Sequence, residues 1–442
     1  MTLVLLVAFL VLLLLDIPVV FCMLIASLAA LLFNGDSPLL IGLEMSRAMA
    51  SFYPFIAVPF FILAGDLMNE GGLSQRITDF MRALVGHRRG GMAMVTTLSS
   101  QMFGAVSGAS SATCAAIGSV MIPVMERQGY SRPFATALAA CSGTTGALIP
   151  PSLMLLVYGV ISNTSIEKVF LGGVLPGIML GVGLMVVSYF FARKHNVPVA
   201  DKVTRVELFK SAQAAIFAIM LVLIIFGGIL GGVFTATEAA AVAVVYALLV
   251  GGLVYRRLTL RNLPRIFIGS ARTAAVLCFL TCAAVLFATV LALGHVPQTL
   301  AESLLSGCGK LVAAAGSELD PQTFAMLRKI LVLLVVNLSL LLIGMFVDGG
   351  PALLIVVPVL LPVAKEIGVD PVHFGVIVVC NLIIGLVTPP VGTTLFVASG
   401  VGGVKMSAMI PHVLRFLGMM IAVLILVTFV PAISLWLPSF LD

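Results

Sequence analysis

Four short stretches gather hydroxyls, glycines and prolines inside apolar surroundings. They are Ser107-Gly108-Ala109-Ser110-Ser111-Ala112-Thr113; Ser142-Gly143-Thr144-Thr145 with Ile149-Pro150-Pro151-Ser152; Asp348-Gly349-Gly350-Pro351; and Thr388-Pro389-Pro390-Val391-Gly392-Thr393-Thr394. A proline inside a helix removes an N–H and clashes with the preceding turn. Two in succession argue against a continuous helix. The carbonyls this frees are tolerated at membrane depth only where protein or a watery cavity surrounds them. Such carbonyls, with nearby hydroxyls, are hard oxygen ligands suited to Na⁺, and the N–H groups opening a following half-helix favour an anion. Close helix packing by small residues is the competing account of the Gly, Ala and Ser content, but it has no need of consecutive prolines.

Other chemistry finds no residue set. His87, His195, His295, His373 and His412 are dispersed, and there is no GxSxG, HExxH or Walker A arrangement. The chain therefore reads as neither an enzyme nor an ATP-driven pump. The seven cysteines are odd in number and scattered, which suits packing rather than a disulfide framework or a zinc site. Asp348 is open to three roles: capping the following helix, ligating a cation or carrying a proton. Glu238, three residues after Thr235, reads as the partner in a capping box. Asp66 and Glu70, ahead of Gly71-Gly72, read as a membrane boundary. No Lys or Arg falls within the four broken stretches, so an anion there is expected to be held by helix ends, hydroxyls or a bound cation.

The elements that must position these residues are membrane helices. The 442 residues are 61% hydrophobic and only 10% charged, against about 25% charge in soluble chains. Mean hydropathy is +1.22. Stretches such as Leu3–Leu32, Ser211–Gly232, Ala236–Val254, Ala274–Leu293 and Phe416–Trp436 are long enough to cross roughly 30 Å of hydrocarbon. Runs such as Leu331–Val336 do not alternate as barrel strands would. Roughly ten to twelve crossings are expected, with further re-entrant segments. The first run lacks a basic start and a small-residue cleavage site, so it reads as a retained helix. Basic clusters at Arg82/Arg88/Arg89, Arg193–Lys210 and Arg256–Arg272 mark cytoplasmic loops rather than nucleic-acid binding.

Breakers recur at one spacing. Pro123 matches Pro362, Gly129 matches Gly368, Gly146 matches Gly385, and Pro150-Pro151 matches Pro389-Pro390, each 239 residues apart. This indicates an internal duplication. Paired interrupted segments are the signature of inverted-repeat secondary transporters.

Taken in order along the chain, Phe60–Gly65, Ser107–Gly118, Ile149–Ser152, Gly173–Gly177, Thr235–Ala240 and Thr388–Gly392 resemble the large membrane subunit of tripartite ATP-independent periplasmic (TRAP) transporters, the DctM-like family. The resemblance covers essentially the whole chain. It implies an all-α polytopic membrane protein of the bacterial inner membrane, an inverted-repeat elevator-type transporter with two re-entrant hairpins and two broken helices. The hairpins would be Gly91–Val124 and about Lys329–Lys365, and the broken helices Pro133–Ile161 and Pro371–Ser399. Residues 1–90, 167–328 and 405–442 would then form scaffold, and 91–166 and 329–404 the two transport repeats. The implied activity is Na⁺-coupled import of a small organic acid delivered by a periplasmic binding protein, with a separate small four-helix membrane subunit. Na⁺ would be the coupling ion, with no organic cofactor. Its ligands would come from Ser107, Ser110, Thr113, Gly143 and Thr144, and from Asp348, Gly349, Thr388, Gly392 and Thr394. The organic anion would meet Ser110, Ser111, Thr145, Pro150, Ser152, Pro389 and Thr393. Ile149 stands where the second half has Thr388, so the two ion sites need not be equivalent. A stand-alone anion symporter and a non-transporting assembly subunit are the competing functions.

Overall fold

The computed structural model describes residues 1–15, 17–51, 56–200, 202–315 and 320–441, and all regular structure among them is helical. The first apolar run, expected as one helix through Leu32, is two: α1 (Thr2–Leu14) and α2 (Val19–Asn34), packed on each other. Pro18 lacks the N–H that would extend α1 and disfavours helical backbone before it, so it becomes the N-cap of α2. Then come α3 (Leu39–Ser51), α4 (Ala57–Glu70) and the amphipathic α5 (Leu73–Val85).

The first repeat follows as α6 (Gly91–Ser107), α7 (Ser110–Arg127), α8 (Arg132–Gly146) and α9 (Leu153–Ser162). A central block contains α10 (Ile166–Lys194), α11 (Arg205–Leu230), α12 (Ala236–Leu249), α13 (Leu263–Leu293) and α14 (Val296–Ala315). A π-helical turn, Val250–Val254, extends α12. The second repeat is α15 (Pro321–Phe346), α16 (Gly349–Glu366), α17 (Pro371–Gly385) and α18 (Thr393–Gly402). The chain closes with α19 (Met406–Phe429) and the short α20 (Ala432–Leu435). Seven described helices are long and apolar enough to cross a membrane: α10, α11, α12 with its π-helical turn, α13, α15, α16 and α19. Apolar length in α1, α2, α9, α17 and α18 comes in shorter pieces.

Two of the long helices are started by reciprocal caps. Thr235 Oγ1 accepts from the Glu238 N–H, while Glu238 Oε2 accepts from the Thr235 N–H at 2.8 Å. The expected capping box is therefore present, and Glu238 is tied to helix α12. Thr204 and Glu207 do the same for α11.

The duplication read from the breakers extends to the element boundaries. The ends of α6, α7 and α8 (107, 127, 146) and the starts of α7 and α8 (110, 132) each recur 239 residues later, in α15, α16 and α17. A contact of the same kind recurs, one residue out of register on the first arm, since Gly344 stands 239 residues after Ala105. A Cβ on Gly104 would stand 2.6 Å from the Gly146 backbone, and one on Gly385 would stand 2.6 Å from the Gly344 backbone. In each repeat the hairpin's first arm thus touches its broken helix backbone to backbone, a contact only glycine permits. The repeats also exchange arms: α7 packs on α18, and α9 on α16.

Helix α10 serves as a ruler for their relative direction. Near its C-terminal end, Phe191 stacks on Phe134 at a ring separation of 3.7 Å, and Gln128, in the α7–α8 turn, donates to the Pro198 carbonyl at 3.4 Å. The equivalent α16–α17 turn lies at its other end, where a Cβ on Gly172 would stand 3.0 Å from Val376 and 3.3 Å from Val372. Equivalent turns therefore sit at opposite ends of one helix.

Candidate functional site

The first hairpin turns at Gly108, whose φ of 63° is left-handed, followed by extended Ala109 and the start of α7 at Ser110. A side chain at position 108 would be strained, and its Cβ would meet Leu153 at 2.8 Å. At this tip the Thr113 hydroxyl donates to the Ala109 carbonyl at 2.9 Å, so Ser107 is the donor in its 2.8 Å bond to Thr113. The Ser110 hydroxyl is buried and has no partner among the described residues. An oxygen buried in that way calls for water, an ion or a ligand.

The second hairpin turns through extended Val347 and Asp348, and α16 starts at Gly349. Asp348 occupies the N-cap position but its side chain makes no capping hydrogen bond. Its carboxylate accepts instead from Thr393 Oγ1 at 3.4 Å, across to the start of α18. Of the three roles open to Asp348, side-chain capping is the one this geometry lacks. Gly349 is buried against Met154 of α9, joining the second tip to the first broken helix.

The breaks themselves fall where the diprolines predict. Helix α8 stops at Gly146, and α9 restarts at Leu153 under Ser152, whose Oγ accepts from the Leu155 N–H at 3.3 Å. Helix α17 stops at Gly385, and α18 restarts after Gly392, whose φ is 57°. The peptide bonds Pro150-Pro151 and Pro389-Pro390 are both cis. Gly392 N–H donates to the Met345 carbonyl at 3.0 Å, and the Thr388 hydroxyl donates to the Ile384 carbonyl at 2.8 Å. Thr394, fully buried, has a hydroxyl that, like that of Ser110, has no partner among the described residues.

A cavity of about 600 Å³ opens between the two tips and the neighbouring helices. Ser107–Ala112 line it from the first hairpin, Asp348, Gly350 and Leu353 from the second, and Leu153, Met154 and Val157 from α9. The opposite wall is α4, through Ile62, Gly65, Asp66 and Asn69, and α13, through Arg272, Thr273, Val276 and Leu277. Ser110 and Ser111, expected to meet substrate, are therefore together on this cavity, as are Ser107 and Asp348 from the ion set. Thr145, Pro150, Ser152, Pro389 and Thr393 are not among its lining residues. Thr144 and Thr145 are fully buried, their hydroxyls donating to Cys141 and Ser142 carbonyls at 2.9 Å each. A Cβ on Gly143 would stand 2.9 Å from Cys114, so α8 comes tight against α7 there. Thr113, Gly143, Thr144, Gly349, Thr388, Gly392 and Thr394 lie behind or beside the cavity rather than on its wall.

Sequence reasoning missed the facing wall. Asp66, expected with Glu70 at a membrane boundary, lines the cavity and accepts from Ser270 Oγ at 2.6 Å. Only Glu70 behaves as a boundary residue, facing Arg265 at 3.5 Å. Arg272, assigned to a loop cluster, lies well inside α13 and faces the cavity. The four broken stretches themselves hold no Lys or Arg, as read from the sequence; this arginine reaches the cavity from α13, outside them.

Comparison with known proteins agrees with this architecture. Residues 6–433 match the family described as "Tripartite ATP-independent periplasmic transporter, DctM component". The chain is 41% identical over 415 residues to a C4-dicarboxylate TRAP transporter large permease protein of Pseudomonas aeruginosa, covering 94% of this chain and 93% of that one. It is 37% identical to a sialic acid TRAP transporter large permease protein of Vibrio cholerae, covering 96% and 95%. An isethionate TRAP transporter permease protein of Oleidesulfovibrio alaskensis is 39% identical, covering 93% of this chain and 62% of that longer one. Among solved structures, the Alcanivorax borkumensis YdaH transporter superposes with a TM-score of 0.58 at 15% identity, covering 87% of each chain, a likeness of fold alone. The chain belongs to the DctM-like family of large membrane permeases of TRAP transporters: it is a multi-pass inner-membrane transport protein, not an enzyme.

Proposed function

We propose that this permease couples Na⁺ entry to import of a small organic acid delivered by a periplasmic binding protein, working with a small four-helix membrane subunit. The observation that carries the reading is the pair of helix breaks facing two hairpin tips, with buried hydroxyls at Ser110 and Thr394 that have no partner among the described residues. Na⁺ accepts such hydroxyl and carbonyl oxygens without needing His or Cys ligands. One ion would lie where Ser107, Ser110 and Thr113 meet Gly143 and Thr144. The other would lie where Asp348 and Gly349 meet Thr388, Gly392 and Thr394. The organic anion would bind between them at Ser110 and Ser111, its charge offset by the cations and by the N-terminus of α7. Thr145, Pro150, Ser152, Pro389 and Thr393 would shape the site from behind rather than touch the anion in the conformation described here.

The repeats would be inverted, a reading supported by the equivalent turns at opposite ends of α10. Basic residues at the C-terminal end of α10 and before α13 put that side in the cytoplasm. Residues 91–166 and 329–404 would move as one body against scaffold in 1–90, 167–328 and 405–442, an elevator motion. Helices α10 and α19, packed on both α8 and α17, would travel with the repeats or hinge them. Relatives act on C4-dicarboxylate, isethionate, sialic acid and 2,3-diketo-L-gulonate by their printed names. Their shared chemistry is a small organic anion, and this chain's cargo is proposed from the same class.

The test is uptake into vesicles holding the permease and its small subunit, with the binding protein outside. Uptake that requires an inward Na⁺ gradient supports the proposal. Equal uptake from a proton gradient in Na⁺-free buffer overturns the coupling, and uptake by the permease alone would favour a stand-alone symporter.

A further inference from the structure

The cavity wall opposite the hairpins carries a cation that forms no ion pair among the described residues. Arg272 lies nine residues beyond the start of α13, about 14 Å along the helix. Among the described residues it has no hydrogen bond or ion pair, and it faces the cavity. The two carboxylates sharing that cavity have other partners: Asp66 accepts from Ser270 at 2.6 Å, and Asp348 from Thr393 at 3.4 Å. Arg265, nearer the helix start, faces Glu70. Arg272 is exposed, and an ionisable residue on a membrane helix that faces a cavity marks a functional site by default.

Position decides which step it serves. Asn69 is one residue from the end of α4, and a Cβ on the next turn residue, Gly71, would stand 3.5 Å from Gly251, close to the basic Arg256-Arg257 segment. The wall formed by Asn69, Asp66 and Arg272 therefore climbs from the end of the molecule that carries the basic loops. That end is cytoplasmic under the reading proposed above, on which this inference rests.

We propose that Arg272 is the release-side anion contact of the permease. In the cytoplasm-open conformation it faces the hairpin tip at Ser107–Ala112 and holds a carboxylate or sulfonate of the departing solute. Because it belongs to α13 rather than to either repeat, it stays behind when the hairpins move away, so it serves the inward conformation and not the outward one. Its charge, on the same wall as Asp66 and across from Asp348, offers the departing anion a local cationic contact on the cytoplasmic side.

The experiment reads that charge without knowing the solute. Ala112→Cys places a thiol on the cavity lining opposite Arg272, and its modification rates by an anionic and a cationic methanethiosulfonate reagent are compared in inside-out vesicles of the full complex. The parent chain supplies the background from native cysteines. The anionic-to-cationic rate ratio is expected to fall about tenfold on adding Arg272→Gln at low salt and to change less at high salt, where the field is screened. Arg272→Lys, which keeps the charge, should hold the ratio. An unchanged ratio with Arg272→Gln overturns the proposal. So does an equal fall with Arg272→Lys, which would trace the effect to altered packing, or modification of the introduced thiol solely from the periplasmic face. Loss of Na⁺-dependent uptake in the unmodified protein would instead sink the coupling reading and leave these rates standing.

Discussion

The two repeats share five helix boundaries to the residue, from the end of the first hairpin arm to the helix break, yet furnish their tips differently. The first tip is neutral, built from Ser107, Ser110, Ser111 and Thr113, and its following break has Ile149 before the diproline. The second tip presents a carboxylate, Asp348, and its break has Thr388 before the diproline and Thr393 and Thr394 after it. Even the restart of the half-helix differs, with a Ser152 side chain capping α9 but left-handed Gly392 opening α18. Duplication preserved the backbone device, a tip meeting a break through a glycine pair, while side-chain chemistry diverged. Under the proposed function, the backbone would supply what both ion sites need, and the side chains would set how tightly each holds its ion.

If so, the charged site should be the stronger, and removing its charge should give the largest effect. Asp348→Asn keeps shape and takes away the anionic ligand. A charge-assisted contact is worth about 1.5–3 kcal/mol, so the Na⁺ concentration for half-maximal uptake should rise roughly 10- to 150-fold. Flux measured against Na⁺ concentration checks this. An unchanged Na⁺ dependence would remove Asp348 from the ion site and leave the comparison resting on hydroxyls alone.

Much of this asymmetry was legible in the sequence, because breakers act locally. Pro150-Pro151 and Pro389-Pro390 end helices wherever they occur, and Gly146 and Gly385 had to match if the halves descend from one unit. The caps at Thr235 and Glu238 are equally local. Asp66 and Arg272 were not legible. Each sits in an ordinary apolar helix, and only the packing of α4 and α13 opposite the hairpins turns them toward the cavity. Composition alone could not separate Arg272 from the loop arginines before it. Likewise Thr145 looked like a ligand by its neighbours, yet helix geometry directs its hydroxyl to the Ser142 carbonyl. The polar seam that joins α15 and α17 was also unread: Asn381 Nδ2 donates to Asn337 Oδ1 at 2.6 Å, where the first repeat has Ser100 and Ser142 at 3.1 Å.

The shared backbone device can be broken separately from the side chains. Gly104→Ala and Gly385→Ala would each put a methyl group 2.6 Å from facing backbone. Overpacking of this kind costs about 1–3 kcal/mol, and it should lower thermal stability at both positions to a similar extent. Differential scanning in detergent checks this. A loss at one position and not at the other would mean that the two hairpin–helix contacts are not equivalent after all.

The neutral site should respond more gently than the charged one. Ser110→Ala removes a buried hydroxyl with no partner among the described residues, so the folded protein loses nothing and the bound ion loses one neutral ligand. A neutral hydrogen-bond-like contact contributes about 0.5–1.5 kcal/mol net, which corresponds to a roughly 2- to 12-fold weaker Na⁺ dependence. Melting temperature without Na⁺ should hold or rise slightly, because an unsatisfied polar atom has gone. A fall in stability without Na⁺ would show that Ser110 has a structural partner and does not wait for an ion.

The smallest effect should come from Thr388→Val, which gives the second break an apolar β-branched residue, as Ile149 is in the first. The Thr388 hydroxyl donates its proton to the Ile384 carbonyl at 2.8 Å, one turn back, which fixes the direction in which its lone pairs can meet an ion. Valine keeps the branched shape, and the Ile384 carbonyl keeps its helical position. A change in Na⁺ dependence of about threefold or less is expected, at the low end of what one neutral ligand contributes. An effect as large as that of Asp348→Asn would mean that the hydroxyl at 388, and not the carboxylate at 348, is what separates the two repeats.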